Sequence, residues 1–186
     1  MRIITGKLKG RKLEVPQNAE VRPTSDRAKE SIFNIIEART EIKGAKVLDI
    51  FSGSGNLGFE AISRGATHVT MVDGSRSTVE YVQKMAKKFG VEDDVSAFCM
   101  KADEYLKTPK GPFDIIFADP PYDLPEIPDY PDLITKNGWL TDSGWFILEH
   151  DVRHLFHEHP HCVFTKPYGR TIVSIFLKHP VTEEEE

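Results

Sequence analysis

Residues 46–58 read Lys46-Val-Leu-Asp-Ile-Phe-Ser-Gly-Ser-Gly-Asn-Leu-Gly58. An apolar run, Val47–Phe51, passes into Gly53, Gly55 and Gly58 at G-x-G-x-x-G spacing, and helical periodicity resumes over 56–64. A buried strand, a tight turn and a helix in that order are the opening β-α unit of an open α/β sheet. Downstream the alternation continues. Strands are expected at His68–Asp73, Val95–Lys101, Phe113–Ala118, Gly144–Glu149, Cys162–Lys166 and Thr171–Lys178, and helices at 75–89, 103–107, about 130–137 and 151–157. Repeated β-α units predict a doubly wound, mostly parallel, seven-stranded Rossmann-like sheet with helices on both faces. The last two strands are separated only by Pro167-Tyr-Gly169, which predicts an antiparallel edge hairpin.

Upstream, Arg2–Thr5 and Lys12–Val15 flank Gly6-Lys-Leu-Lys-Gly10 and read as a small β arm or hairpin. Arg22-Pro-Thr-Ser-Asp-Arg-Ala-Lys-Glu30 opens a helix, with Thr24 or Ser25 as N-cap and Ala28, Ile32, Ile35 and Ile36 on its apolar face. The expected organisation is an arm over 1–20, one α/β domain over 21–180 and an acidic, disordered tail over 181–186.

Asp119-Pro-Pro-Tyr122 directly follows the strand Phe113–Ala118. Open α/β sheets keep their active sites at that strand edge. Two prolines stiffen the backbone and remove two N–H donors, which leaves carbonyl oxygens as acceptors. A carboxylate and an aromatic ring complete a site for a planar nitrogen heterocycle bearing an exocyclic amine. The competing reading, Asp119 as a helix N-cap with proline at the first helical position, is opposed by Pro125, Pro128 and Pro131 close behind.

The 186 residues are 39% hydrophobic, enough for one core, and no run approaches the roughly 20 apolar residues of a membrane span. Met1-Arg-Ile-Ile-Thr-Gly6 does not read as a secretory leader, so a cytoplasmic location is expected. Cys99 and Cys162 lack metal or redox spacing and read as buried thiols. Net charge is −5, but residues 183–186 are four glutamates, and without them it is −1. Residues 1–30 carry eight Lys/Arg against four acids. That imbalance marks Arg2, Lys7, Lys9, Arg11, Lys12, Arg22 and Arg27 as candidate phosphate contacts.

The glycine loop alone is a weak signal, common to many nucleotide sites. Asp73 ends the second strand, where a carboxylate can take both ribose hydroxyls, and Asp103 follows the third. Asp103 also has a plain reading as a helix N-cap. NAD would suit the loop and Asp73, but Asp49 is poorly placed for a pyrophosphate, and nothing near the loop supplies phosphate-directed charge. An adenosyl ligand carrying an ammonium and a sulfonium matches Asp49, Asp73 and Asp103 better.

With both halves in view, the chain resembles the class I S-adenosylmethionine-dependent methyltransferases, and more narrowly the bacterial 16S rRNA guanine-N2 methyltransferases. The resemblance spans essentially the whole chain. It rests on residues 22–34 (Arg-Pro-Thr-Ser-Asp-Arg-Ala-Lys-Glu-Ser-Ile-Phe-Asn), Asp49–Ala66, Asp119–Tyr122 and Lys166–Thr171. It implies that Asp49, Phe51, Ser52, Gly53 and Gly55 support the methionine part of S-adenosylmethionine. Asp73 with Gly74 would bind the ribose and Asp103 the adenine amine, while Asp119, Pro120, Pro121 and Tyr122 hold the target guanine. Family members often carry glutamate where this chain has Asp73. S-adenosylhomocysteine would be the product, 16S rRNA in the small subunit or an assembly intermediate the partner, and the protein a monomer.

Two other functions share these features: a DNA or protein amine/amide methyltransferase with the same tetrapeptide, and a non-catalytic RNA-binding assembly factor. Intact Asp119, Tyr122 and Asp73 oppose the second. His150, His154, His157, His159 and His161 crowd one stretch, but Pro160 interrupts them and no Cys or carboxylate set completes a tetrahedral site. They read as an exposed polar segment rather than a metal site. Trp139, Trp145 and Phe146 read as packing residues, and Glu149 as a possible pocket wall.

Overall fold

The computed structural model describes residues 1–14 and 26–180. The expected N-cap at Thr24 or Ser25, Arg22, the end of the arm at Val15 and the acidic tail lie outside the described residues. Seven strands belong to one mixed sheet, with helices on both sides. The chain divides into two compact units, Met1–Tyr105 and Leu106–Glu186.

The first unit opens with the arm, in which Arg2 and Lys12 form a single antiparallel bridge. Helix α1, Asp26–Glu37, buries Ala28, Ile32, Phe33 and Ile36, and also Lys29. Strand β1 (Lys46–Ile50), helix α2 (Asn56–Ser63), strand β2 (His68–Asp73), helix α3 (Arg76–Phe89), strand β3 (Val95–Cys99) and the short α4 (Ala102–Tyr105) follow. The strands lie in the order β3-β2-β1 and pair in parallel, Asp49 opposite Met71 and Asp73 opposite Cys99. Helix α2 is buried along its whole length. Helix α3 is amphipathic: Val79, Val82, Met85, Ala86 and Phe89 face inward, Ser75 caps it by accepting from Thr78 N, and Gly90 ends it at φ 68°.

The second unit holds β4 (Phe113–Ala118), α5 (Tyr130–Lys136), β5 (Leu140–His150), β6 (Cys162–Tyr168) and β7 (Thr171–Leu177). Its strand order is β4-β5-β7-β6. β4 and β5 are parallel; β5–β7 and β7–β6 are antiparallel. The edge hairpin is therefore present, and Pro167 sits in the edge strand β6, where a missing N–H is tolerated. Trp139, Trp145 and Phe146 are core residues, as expected.

Three expectations are corrected. Residues 151–157 form turns rather than a helix. The Asp151 carboxylate takes both the backbone N–H and the Nε of Arg153, a local bond that competes with helix formation. Strand β5 begins at Leu140, four residues earlier than expected, because a register shift lets Phe113 pair with Leu140 while Ile115 pairs with Trp145. The cysteines are not buried: Cys99 is exposed and Cys162 half-exposed, since each sits at the end of an edge strand.

Candidate active site

In the first unit the loop after β1 is built by its backbone. Gly55 adopts φ 76° and Gly53 φ 53°, and Phe51 holds φ 61°, a left-handed conformation uncommon for a bulky residue. A Cβ on Gly55 would meet the Phe59 ring at 2.8 Å, and one on Gly58 would run into Met71 Cε. Thus Gly55 serves the turn and Gly58 the close approach of α2 to β2. Asp49, 2% exposed, accepts from Gly58 N at 3.0 Å and ties the strand to the first turn of the helix. Ser52 and Gly53 are buried.

Asp73 braces this loop from the neighbouring strand. One carboxylate oxygen accepts from Gly53 N at 3.0 Å and the other from Ser75 N at 2.9 Å. Gly74 is exposed, and a Cβ built on it would make only ordinary contact with Lys101 Cγ at 3.9 Å. Asp103 is exposed and lies inside the first turn of α4, not at its N-cap. The donor set of this unit fits a cationic adenosyl ligand. Two strand-end carboxylates border the loop, and residues 49–58 contain no Lys or Arg. Lys29, which reaches Asn56 Oδ1 at 2.8 Å, is already ion-paired to Glu60 at 3.2 Å.

In the second unit Asp119 is half-exposed just past β4, Pro120 is buried, and Pro121 is exposed. The Pro121 carbonyl accepts from Leu124 N at 3.0 Å, which closes a turn. Between the two prolines, that leaves Pro120 O as the candidate acceptor for a ligand. Tyr122 is half-buried and its hydroxyl meets Thr171 Oγ1, at the start of β7, at 2.7 Å. Glu149 is buried in β5.

Of the candidate phosphate contacts, Lys9, Arg11, Lys12 and Arg27 are exposed. Arg2 lies 3.5 Å from Asp26 and Lys7 3.2 Å from Asp94, so those two are partly neutralised. The histidine stretch is not an exposed polar segment. His150 and His161 are buried, His150 bonds Ser174 Oγ at 2.8 Å, and its ring packs edge-on to Phe156. His159 packs edge-on to Phe176. Their partners Ser174 and Phe176 come from β7, which a linear reading of 150–161 could not supply.

Sequence reasoning also missed a buried charge network. Lys29 and Glu60 are both fully buried, and Arg64 nearly so. Glu60 accepts from Ile4 N and Thr5 N in the arm, at 2.8 and 3.1 Å, and from Arg64 Nε at 2.9 Å. Lys29 Nζ donates to Arg2 O at 2.6 Å. Burial pushes the Lys29 ammonium below its ordinary pKa, while the Glu60 carboxylate pulls the other way. The only signal available was the pairing of an acid and two bases inside apolar helical faces.

The fold is the Rossmann-like fold found in methyltransferase structures. An RNA methyltransferase from Salinibacter ruber, solved in complex with S-adenosyl-L-homocysteine, superposes with TM-score 0.67 at 13% identity, covering 88% of this chain and 98% of that one. The solved structure of yhhF from Escherichia coli gives TM-score 0.84 at 30% identity, covering 97% and 99%. The Ribosomal RNA small subunit methyltransferase D of Escherichia coli K12 is 36% identical over 154 residues, 82% of this chain and 75% of that protein. The family model described as Conserved hypothetical protein 95 matches residues 1–177, and the chain belongs to that family.

Proposed function

We propose that this protein is an S-adenosylmethionine-dependent methyltransferase that modifies the exocyclic N2 amine of a guanine in 16S rRNA, acting in the cytoplasm. The observation that carries the reading is Asp119-Pro-Pro-Tyr122 at the carboxyl end of β4, with the Tyr122 hydroxyl held by Thr171. The rRNA class is supported by the small-subunit methyltransferase among the relatives, and the cofactor by the product bound to the Salinibacter fold relative.

Asp49, Phe51, Ser52, Gly53 and Gly55 would hold the methionine portion, Asp73 with Gly74 the ribose, and Asp103 the adenine amine. When bound, the cofactor supplies an electrophilic methyl group on a sulfonium whose leaving group is a neutral thioether. The chain's own work is on the amine. Its lone pair is delocalised into the purine ring, and Asp119 and the Pro120 carbonyl accept its two N–H bonds. They draw the nitrogen toward sp³ and aim the lone pair outward. Tyr122 stacks on the base, a contact worth about 1–3 kcal/mol. The methylated amine is strongly acidic while it carries its extra proton and releases it to water, so positioning and preorganised dipoles carry the catalysis and no strong general base is required. The target base reaches such a pocket unpaired or flipped out. The arm cations Arg2, Lys7, Lys9, Arg11 and Lys12, with Arg22 and Arg27, would contact RNA phosphates. Arm, α/β domain and acidic tail are the functional divisions, and the protein acts as a monomer.

The test is methyl transfer from labelled S-adenosylmethionine to small ribosomal subunits lacking the modification, followed by nucleoside analysis. N2-methylguanosine is expected with wild type, and Asp119→Ala loses at least roughly 10²-fold in rate, the scale for one preorganised polar contact. Cofactor binding without incorporation overturns the guanine assignment, and near-normal turnover in Asp119→Ala overturns the mechanism.

A further inference from the structure

The arm does not stand alone on the surface of the first unit. Arg11 places its guanidinium 5.8 Å from the centroid of Phe89, the last residue of α3. Glu14 donates its backbone N–H to the hydroxyl of Tyr81, two turns earlier in the same helix, at 2.7 Å. Tyr81 and Phe89 are separated by about 12 Å along a helix axis, and three extended residues span about 10 Å. Residues 11–14 therefore run antiparallel along α3 and are pinned at both ends.

The flank of α3 that Tyr81 marks is basic. Lys84 and Lys88 follow Tyr81 at i+3 and i+7, so the three share one flank, and both lysines are exposed. Among the described residues Lys9, Lys12, Lys84 and Lys88 have no carboxylate partner within ion-pair distance. The acids nearby are accounted for. Glu80, one turn from Lys84, is held by Arg76 at 3.0 Å, and Asp94 is held by Lys7 at 3.2 Å. Exposed Glu92 and Asp93 lie beyond the C-terminal end of the helix, and Glu14 is the one carboxylate within the described arm.

We propose that Lys84 and Lys88 of α3 continue the arm's Lys9, Arg11 and Lys12 into one track for the phosphodiester backbone of RNA. The proposal rests on the rRNA reading above and adds to it a second element and a direction. The surface suits phosphates rather than an acidic protein. A protein partner needs an apolar centre to its interface, and the exposed large apolar residues among those described, Phe98, Val152 and Leu155, include none in α3 or the arm. Phosphates need only solvated cations along a line, each contact releasing counterions. Tyr81 keeps its proton, because burial raises its hydroxyl above the ordinary value. The Glu14–Tyr81 contact is thus uncharged, and salt does not loosen that end of the arm.

The test measures binding of a 16S rRNA transcript against salt concentration for three proteins: wild type, Lys84→Gln/Lys88→Gln, and Lys43→Gln/Lys46→Gln. The last removes the same charge from exposed positions off the track. Loss of two phosphate contacts shallows the slope of log K against log salt by roughly 1.5 in Lys84→Gln/Lys88→Gln, and the control keeps the wild-type slope. A wild-type slope in Lys84→Gln/Lys88→Gln, or equal shallowing in both variants, overturns the track while the rRNA reading stands. A wild type that binds no transcript at low salt overturns both. Labelled polyglutamate bound by wild type and lost in Lys84→Gln/Lys88→Gln, with transcript binding unaltered, transfers the surface to an acidic protein and overturns the proposal.

Discussion

Tyr122 has two ends with different jobs. Its ring is the proposed stacking face for the target base, and its hydroxyl is held by Thr171 Oγ1 at 2.7 Å. Removing the hydroxyl leaves the ring in place but frees it to rotate away from one plane. Tyr122→Phe is expected to lower kcat/KM about fivefold, the scale of one lost neutral hydrogen bond near 1 kcal/mol, with cofactor affinity unaltered. Steady-state kinetics on small subunits measures it; an unchanged kcat/KM removes Thr171 from the positioning of the base. Tyr122 was legible as a candidate because it closes a short motif after an apolar run. Thr171 was not, because its contact comes from the start of a strand 49 residues away. Asp73 shows the same limit. Its place at a strand end was readable, but its two bonds to Gly53 N and Ser75 N make it a brace of the loop as well as a candidate ligand.

At the scale of elements, α2 joins the glycine loop to the arm. Its first turn receives Asp49 through Gly58 N, and its second carries Glu60, onto which Ile4 N, Thr5 N, Lys29 and Arg64 converge. Lys29→Met is expected to destabilise the protein by about 3–5 kcal/mol, since it leaves the buried Glu60 charge short of a partner. A fall of less than about 1 kcal/mol in denaturant unfolding would show that Arg64 alone compensates, as buried pairs sometimes allow. The network also decides how the arm is best probed. Ile3, Leu8 and Leu13 are buried and Glu60 takes two arm amides, so deleting the arm uncovers apolar surface and a buried carboxylate together. Substituting its exposed cations tests RNA contact without that damage. The helical periodicity of α1 and α2 was plain in the sequence. That Lys29 faces inward was not, because lysine at such a position reads as solvated until its acidic partner is placed beside it.

For the molecule as a whole, the buried histidines predict an acid-sensitive stability. Burial lowers the His150 pKa below its ordinary 6.5, opposed by its bond to the Asp151 carbonyl and assisted by His154. Burial likewise lowers His159, against the pull of Asp132. A neutral histidine in the fold that charges more readily when unfolded contributes stability present above pH 6.5 and lost as pH falls from there toward its folded pKa. Tm is therefore expected to drop between pH 7 and pH 5, and His150→Gln to show a smaller drop from a lower starting Tm. Identical pH dependence in both proteins would remove His150 as a source. The β-α alternation, the edge hairpin, the glycine loop and the strand-end carboxylates were readable from the order of residues. These follow from periodicity and turn chemistry, which act between near neighbours. The tertiary structure alone decided the turn at 151–157, the exposure of Cys99 and Cys162, the burial of His150, the Lys29–Glu60–Arg64 network and the alignment of the arm with α3. Burial and pairing of those side chains depend on groups far away along the chain, and no local pattern encodes which distant surface arrives to cover them.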